Sequence, residues 1–226
     1  MPKMKRSDKD EDPITLGYIV ETNFFNFLLK VEEFFTFLGN PKWWIFDLTT
    51  FLMYLPASPY KIVRELHPED CNFVYGEVPV MTMCRILRDV EACREDVFFD
   101  LGSGRGHGVF GAYFSKIHRC IGIELTGELV KRASRTAALM RAEGVEFRCG
   151  DFTSADLSEG TIFFLAGTTM EGEVIKKVAS SILSIPHPVK VVSLSQRLPG
   201  DEFKTVFSRK YRFSWGEATV FFQTKD

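Results

Sequence analysis

Three carboxylates close successive apolar runs: Asp100 after Val97–Phe99, Glu124 after Cys120–Ile123, and Asp151, behind Gly150, after the run that begins at Val145. Between the first two lies DLGSGRGHG, with Gly102, Gly104 and Gly106 at alternate positions. Glycines in such a turn accept positive φ and let a ligand come close to the backbone. Glu124 follows Gly104 by 20 residues, where a carboxylate can accept hydrogen bonds from both hydroxyls of a ribose. Asp151 can accept from an adenine amino group while Phe152 packs on the ring. Asp100, ionised at the end of the first run, favours a cation beside it. Together these groups suit an adenosylated cation.

Two cofactor classes share this layout, dinucleotides and S-adenosylmethionine. A GxGxxG string is present at Gly106–Gly111 (GHGVFG), but it begins six residues after Asp100, whereas a dinucleotide site needs its glycines directly after the strand. A pyrophosphate beside Asp100 would also be repelled. The ammonium and sulfonium of S-adenosylmethionine would be attracted, so this is the expected cofactor.

The elements that must position these groups are legible from residue 95 onward. Buried parallel strands are expected at Val97–Leu101, Cys120–Ile123, Val145–Phe147, Thr161–Leu165 and Val189–Leu194. A helix enters near Gly108, others span Thr126–Arg141 and Gly172–Leu183, and Gly144 and Pro186 stand beyond the last two. Lys204–Trp215 and Ala218–Thr224 are β-rich and separated only by Gly216-Glu217, which reads as a hairpin. The expected fold class is α/β, a doubly wound, Rossmann-like, seven-stranded and mostly parallel sheet ending in an antiparallel hairpin.

The N-terminal part has a different composition. Of the 31 aromatic residues, 13 lie within the first 60, which marks this stretch as a separate helical layer. Phe24, Phe27, Leu28, Val31, Phe34, Phe35 and Leu38 fall on one helix face, with Thr22 or Asn23 as cap and Gly39-Asn40-Pro41 as stop. A second helix is expected from about Lys42 to Leu55, ended by Pro56 and Pro59. These helices are expected to cap the α/β layer with their apolar faces inward. The division is residues 1–13 as a disordered charged tail, 14–70 as helical cap and 71–226 as the catalytic domain.

Composition excludes several classes. With 45% apolar residues in 226, the chain can bury a full core. Lys and Arg number 28 against 30 Asp and Glu, so a net charge of −2 gives no electrostatic footprint for nucleic acid. The charge-free stretch Leu48–Tyr60 has 13 residues, too few to span a bilayer. The charged start MPKMKRSDKDEDP lacks an apolar core and is not expected to be a secretory leader. Five cysteines without a close pair suggest reduced thiols, hence a cytoplasmic protein, and no metal-ligand cluster is present.

With these motifs in hand, Val97–Thr224 resembles the seven-strand, class I S-adenosylmethionine-dependent methyltransferases. The order of Val74-Tyr75-Gly76-Glu77, DLGSGRGH, IGIE, GDF, TIFFL and Ser214-Trp215-Gly216 is similar to the catalytic core of the disruptor-of-telomeric-silencing class of histone lysine methyltransferases and their bacterial relatives. The resemblance implies that a loop carrying Tyr75, Gly76 and Glu77 closes over the cofactor. It also implies that Asp100, Gly102 and Gly104 line the methionine end, Glu124 the ribose, and Asp151 with Phe152 the adenine. Ser103, Gly106 and His107 in the glycine loop, Leu125, and Leu165 at the end of the fourth strand complete the expected cofactor set. His107 is expected as a cofactor-loop neighbour rather than a base, and no catalytic residue is assigned. His67, His118 and His187 are expected at the surface.

Two positions depart from the family pattern. A pair of asparagines after the fourth strand is replaced by the run Leu165-Ala166-Gly167-Thr168, and a channel tyrosine near the last strand by Val220, Phe221 or Phe222. The acceptor therefore stays open between a protein lysine and a small amine or hydroxyl compound. A module that binds cofactor without turnover is the alternative from another class. Dimerisation through the N-terminal helices is a further expectation. In any lysine channel, the Phe-rich cap and Phe221 or Phe222 are the expected walls.

Overall fold

A computed structural model describes residues 16–66, 76–166 and 170–226. Three N-terminal helices come first: α1 (Leu16–Phe37), α2 (Pro41–Tyr54) and α3 (Pro59–Leu66). Then follow α4 (Val80–Asp89), β1 (Val97–Leu101), α5 (His107–Phe114), β2 (Arg119–Glu124), α6 (Gly127–Met140) and β3 (Val145–Cys149). The remainder is β4 (Ile162–Leu165), α7 (Gly172–Leu183), β5 (Val189–Leu194), β6 (Lys204–Phe213) and β7 (Gly216–Lys225). The seven strands form one sheet in the order β3-β2-β1-β4-β5-β7-β6. β1 to β5 pair in parallel, while β7 runs antiparallel to both β5 and β6. The doubly wound sheet with its antiparallel hairpin is the expected fold.

Alternation within the central strands divides the core. Phe98, Ile162, Phe164 and Val192 join Met83, Ile86 and Val109 on one side of the sheet. Phe99, Ile121, Phe163 and Val191 join Ile175, Val178 and Ile182 of α7 on the other. Both faces are thus covered, which is why these strands read as unbroken apolar runs.

The hairpin turn lies two residues earlier than the sequence suggested. Phe213 pairs with Gly216, so the turn is Ser214-Trp215, and Glu217 is already in β7 opposite Arg212. Gly216 begins β7 at φ 131°, a conformation that side chains disfavour. Fixing the turn there ties it to two distant elements. Ser214 Oγ accepts from the Glu77 N–H (3.1 Å), and the Ser214 carbonyl accepts from Asn26 Nδ2 of α1 (3.0 Å).

The cap departs most from expectation. α1 begins at Leu16 and runs through Thr22 and Asn23 instead of starting at them. Its apolar stripe faces outward: Phe24, Phe27 and Phe35 are 56%, 62% and 70% exposed. The opposite face packs on the domain, with Leu29 and Glu33 buried. Glu33 accepts from Lys30 (2.7 Å) and from the Met81 N–H of α4 (3.4 Å), and Glu32 pairs with Arg85. Polar groups with partners thus dock this helix, and periodicity alone gives a stripe without saying what it faces. α2, capped by the Asn40 side chain on the Lys42 N–H, buries Trp43 and Phe46 against Phe110, Ala137 and Met140. The boundary expected near residue 70 lies outside the described residues, as do the tail 1–13 and His67. His118 is exposed, accepting from Arg94 Nε (2.7 Å), and His187 is partly exposed.

Candidate functional site

The strand order reverses between β1 and β4, and outside their carboxyl ends opens a cleft of about 650 Å³. That is the place where open α/β sheets bind ligands, and the volume suits a nucleoside-sized molecule. The glycine loop leaves β1 at Gly102 (φ 91°) and enters α5 through Gly106 (φ 89°). At Gly106 a Cβ would come 2.5 Å from Cζ of Phe147, so space as well as backbone conformation requires glycine.

Glu124 holds this loop in place. Its Oε2 accepts the Gly104 N–H (2.9 Å) and its Oε1 accepts the Thr126 N–H (2.8 Å). Each carboxylate oxygen keeps a second lone pair for a ligand hydroxyl. Asp100, 5% exposed, makes no hydrogen bond to any described residue and lies against Gly108, where a Cβ would be 2.3 Å from Oδ2. Burial, with the Glu124 charge added, pushes the Asp100 carboxyl up to about 7. Two buried carboxyls without a cation are electrostatically incomplete. Ser103 Oγ, Thr126 Oγ1 and Arg105 Nε are likewise buried without a partner on the same cleft. This donor and acceptor set fits a ligand with a positive centre, hydroxyls and a carboxylate, as S-adenosylmethionine has. Asp151, also on the cleft, is exposed, its Oδ1 taken by the Thr153 N–H (2.8 Å), and Phe152 is half-buried.

Gly76, Glu77, Tyr60 and Trp215 also line the cleft. Trp215 stacks on Phe213 with centroids 4.9 Å apart, and a Cβ on Gly76 would lie 2.6 Å from its ring. Glu77 pairs with Arg105, whose guanidinium lies 5.5 Å from the Tyr54 ring centroid. Arg132 lies 5.1 Å from the same ring and donates to the Met53 carbonyl (2.7 Å). Burial raises the Tyr54 phenol above its ordinary range despite the two guanidiniums. Burial, reinforced by Arg105 and Lys30, holds His107 well below 6.5, so it is neutral at pH 7. Its ring sits edge-on to Phe46 (5.5 Å), a packed position that suits the expected neighbour role.

Of the expected cofactor residues, Gly76, Glu77, Asp100, Gly102, Ser103, Gly104, His107, Glu124, Leu125, Asp151 and Phe152 line one cleft. Tyr75 lies outside the described residues. Gly106 shapes the loop without lining the cleft, and Leu165 points to the α7 side of the sheet, so Phe164 and Ala166 line it instead. The one-residue alternation of β4 decides this. Val220 and Phe222 are core residues, and Phe221 lies under Arg197. None of the three lines the cleft, and the cap's exposed phenylalanines do not either; the aromatic lining among the described residues is Tyr60, Phe152, Phe164 and Trp215. Arg105, Thr126, Tyr60 and Lys177 also line the cleft without having been singled out. Arg105 sits inside the glycine motif, which is the signal that could have found it.

The sequence pattern of the family described as "Histone methylation protein DOT1" matches residues 66–210. Among solved structures, an RNA methyltransferase from Salinibacter ruber in complex with S-adenosyl-L-homocysteine is 30% identical. It covers 66% of this chain and 93% of its own, with a TM-score of 0.54. TrmN from Thermus thermophilus, 16% identical over 64% of this chain and 48% of its own, shares the fold at a TM-score of 0.53. No curated protein matches the chain.

Proposed function

The chain belongs to the DOT1 histone-methylation family and is an S-adenosylmethionine-dependent methyltransferase; from that premise we propose that its acceptor is a protein lysine. The observation that carries this reading is the Trp215 ring, packed against Gly76 next to Glu77 on the wall of the cleft. Lysine reacts as the neutral amine, and losing its proton at pH 7 costs about 4–5 kcal/mol from a reference pKa of about 10.4. An aromatic, water-poor wall lowers that cost by desolvating the ammonium.

In this reading Asp100 faces the positive methionine end, Ser103 and Thr126 donate to its polar groups, Glu124 holds the ribose, and Asp151 with Phe152 receives the adenine. The bound cofactor supplies an electrophilic methyl group on a sulfonium. The protein aligns the acceptor nitrogen with that methyl and excludes water. Glu77, paired with Arg105, is placed to orient the acceptor amine.

A second reading is favoured by the Salinibacter relative, whose acceptor class is RNA. The net charge of −2 supplies no general attraction for a polyanion. Labelled methyl transfer into lysine-rich proteins, total RNA and a metabolite extract tests all three acceptors. Label recovered as methyl-lysine supports the proposal; label confined to nucleosides or small molecules overturns it.

A further inference from the structure

The outward faces of α1 and α2 each repeat every seven residues. On α1, Phe24, Val31 and Leu38 occupy one position of the repeat, Phe27 and Phe34 a second, Leu28 and Phe35 a third. On α2, Leu48 and Leu55 occupy the first, Trp44 and Phe51 the second, Ile45 and Leu52 the third. These are the a, d and e positions that core-facing helices of a bundle fill with apolar residues. The inward faces bury Leu29, Trp43 and Phe46 together with Glu33, Thr49 and Thr50, so each helix has a second apolar side that points away from the domain.

The two stripes adjoin. Phe34 meets Trp44 at 5.5 Å, Trp44 Nε1 donates to the Leu38 carbonyl (2.9 Å), and Lys30 pairs with Asp47 (3.6 Å). Twelve large apolar side chains of this surface are between 38% and 70% exposed. Together they show roughly 1,200 Å² to solvent, against about 300–600 Å² for the largest patch on a typical monomer and about 800 Å² per partner in a standard interface.

We propose that two copies of this chain pair through α1 and α2, building a four-helix bundle from two helical hairpins. Three observations choose this occupant. The area is sufficient for a stable dimer. The seven-residue repeat matches the packing of helix on helix, a register that lipid does not require. The stripes contain no charge, so the surface is complementary to itself, as a two-fold interface must be. A lipid surface would favour a border rich in Lys and Arg, whereas the charges here alternate through Glu21, Lys30, Glu32, Lys42 and Asp47. α2 ends at Tyr54, whose ring lies against Arg105 of the cleft, so the bundle would stand beside the cleft.

Sedimentation of the full chain across micromolar concentrations tests the proposal. The expected result is a dimer that dissociates on dilution. Phe35→Glu combined with Leu48→Glu places charges in the seam and should weaken self-association by at least about 100-fold. Binding of S-adenosylhomocysteine, measured by calorimetry, should be unchanged, which also shows that the variant is folded. If the variant fails to fold, the dilution series of the unaltered chain decides alone. A chain that is monomeric throughout, or that disperses only with phosphatidylcholine vesicles and floats with them, overturns the proposal.

Discussion

Glu124 and Gly104 are joined by a 2.9 Å hydrogen bond from the glycine N–H to Oε2, so the residue assigned to the ribose also closes the loop beneath the methionine end. If the proposed cofactor contacts hold, a change at Glu124 acts on both halves of the cofactor. Glu124→Ala should weaken S-adenosylhomocysteine binding by roughly ten- to a hundred-fold, from about 1.5–3 kcal/mol for a hydrogen bond to a charged group. Glu124→Gln, which keeps one acceptor, should lose less. Calorimetry checks both, and tighter binding of NAD than of S-adenosylhomocysteine would refute the cofactor assignment.

Asp100, proposed to face the cationic end of the cofactor, should make binding depend on pH. Its carboxyl is raised to about 7, and a cationic ligand needs it ionised. Affinity for S-adenosylmethionine should rise roughly tenfold from pH 6 to pH 7.5, as the proton leaves. Without ligand the sign is reversed: the folded state holds this proton more tightly than the unfolded chain, so Asp100 costs stability as pH rises from about 4 through 7. Asp100→Asn should flatten the binding profile and weaken S-adenosylmethionine more than adenosine. Equal loss for both ligands would show that Asp100 only supports the glycine turn.

Gly108→Ala places a Cβ 2.3 Å from Asp100 Oδ2 and 3.2 Å from Met83 Cε. The carboxylate must move, at an expected cost of about 1–3 kcal/mol. Thermal unfolding should shift down by several degrees, and cofactor affinity should fall with it. Unchanged values for both would mean that α5 can slide without disturbing the cleft.

Phe46→Ala tests whether the helical cap is a separate unit. Phe46 is 1% exposed and packs on Phe110 at 4.8 Å and Phe114 at 5.8 Å. Loss of such a side chain typically costs about 3–5 kcal/mol. A single unfolding transition lowered by about 10 °C is expected for a chain of this size. Two separate transitions would instead support a boundary near residue 70.

The glycine loop, the acidic strand ends and the alternation of strands with helices were legible in the sequence because each is dictated locally. Positive φ selects glycine, a doubly covered strand selects unbroken apolar runs, and Glu124 stands 20 residues after Gly104 with one crossover helix between them. Leu165 was misplaced because one step along β4 exchanges the cleft for the α7 core. Only the tertiary structure brings Ser214 and Trp215 to Glu77 and Gly76 across 137 intervening steps of chain, and Arg105 between Glu77 and Tyr54. It alone turns the stripes of α1 and α2 outward, because a periodic pattern fixes which residues share a face, whereas the partners of Glu33 and Asn26 on α4 and the β6–β7 turn fix where that face points.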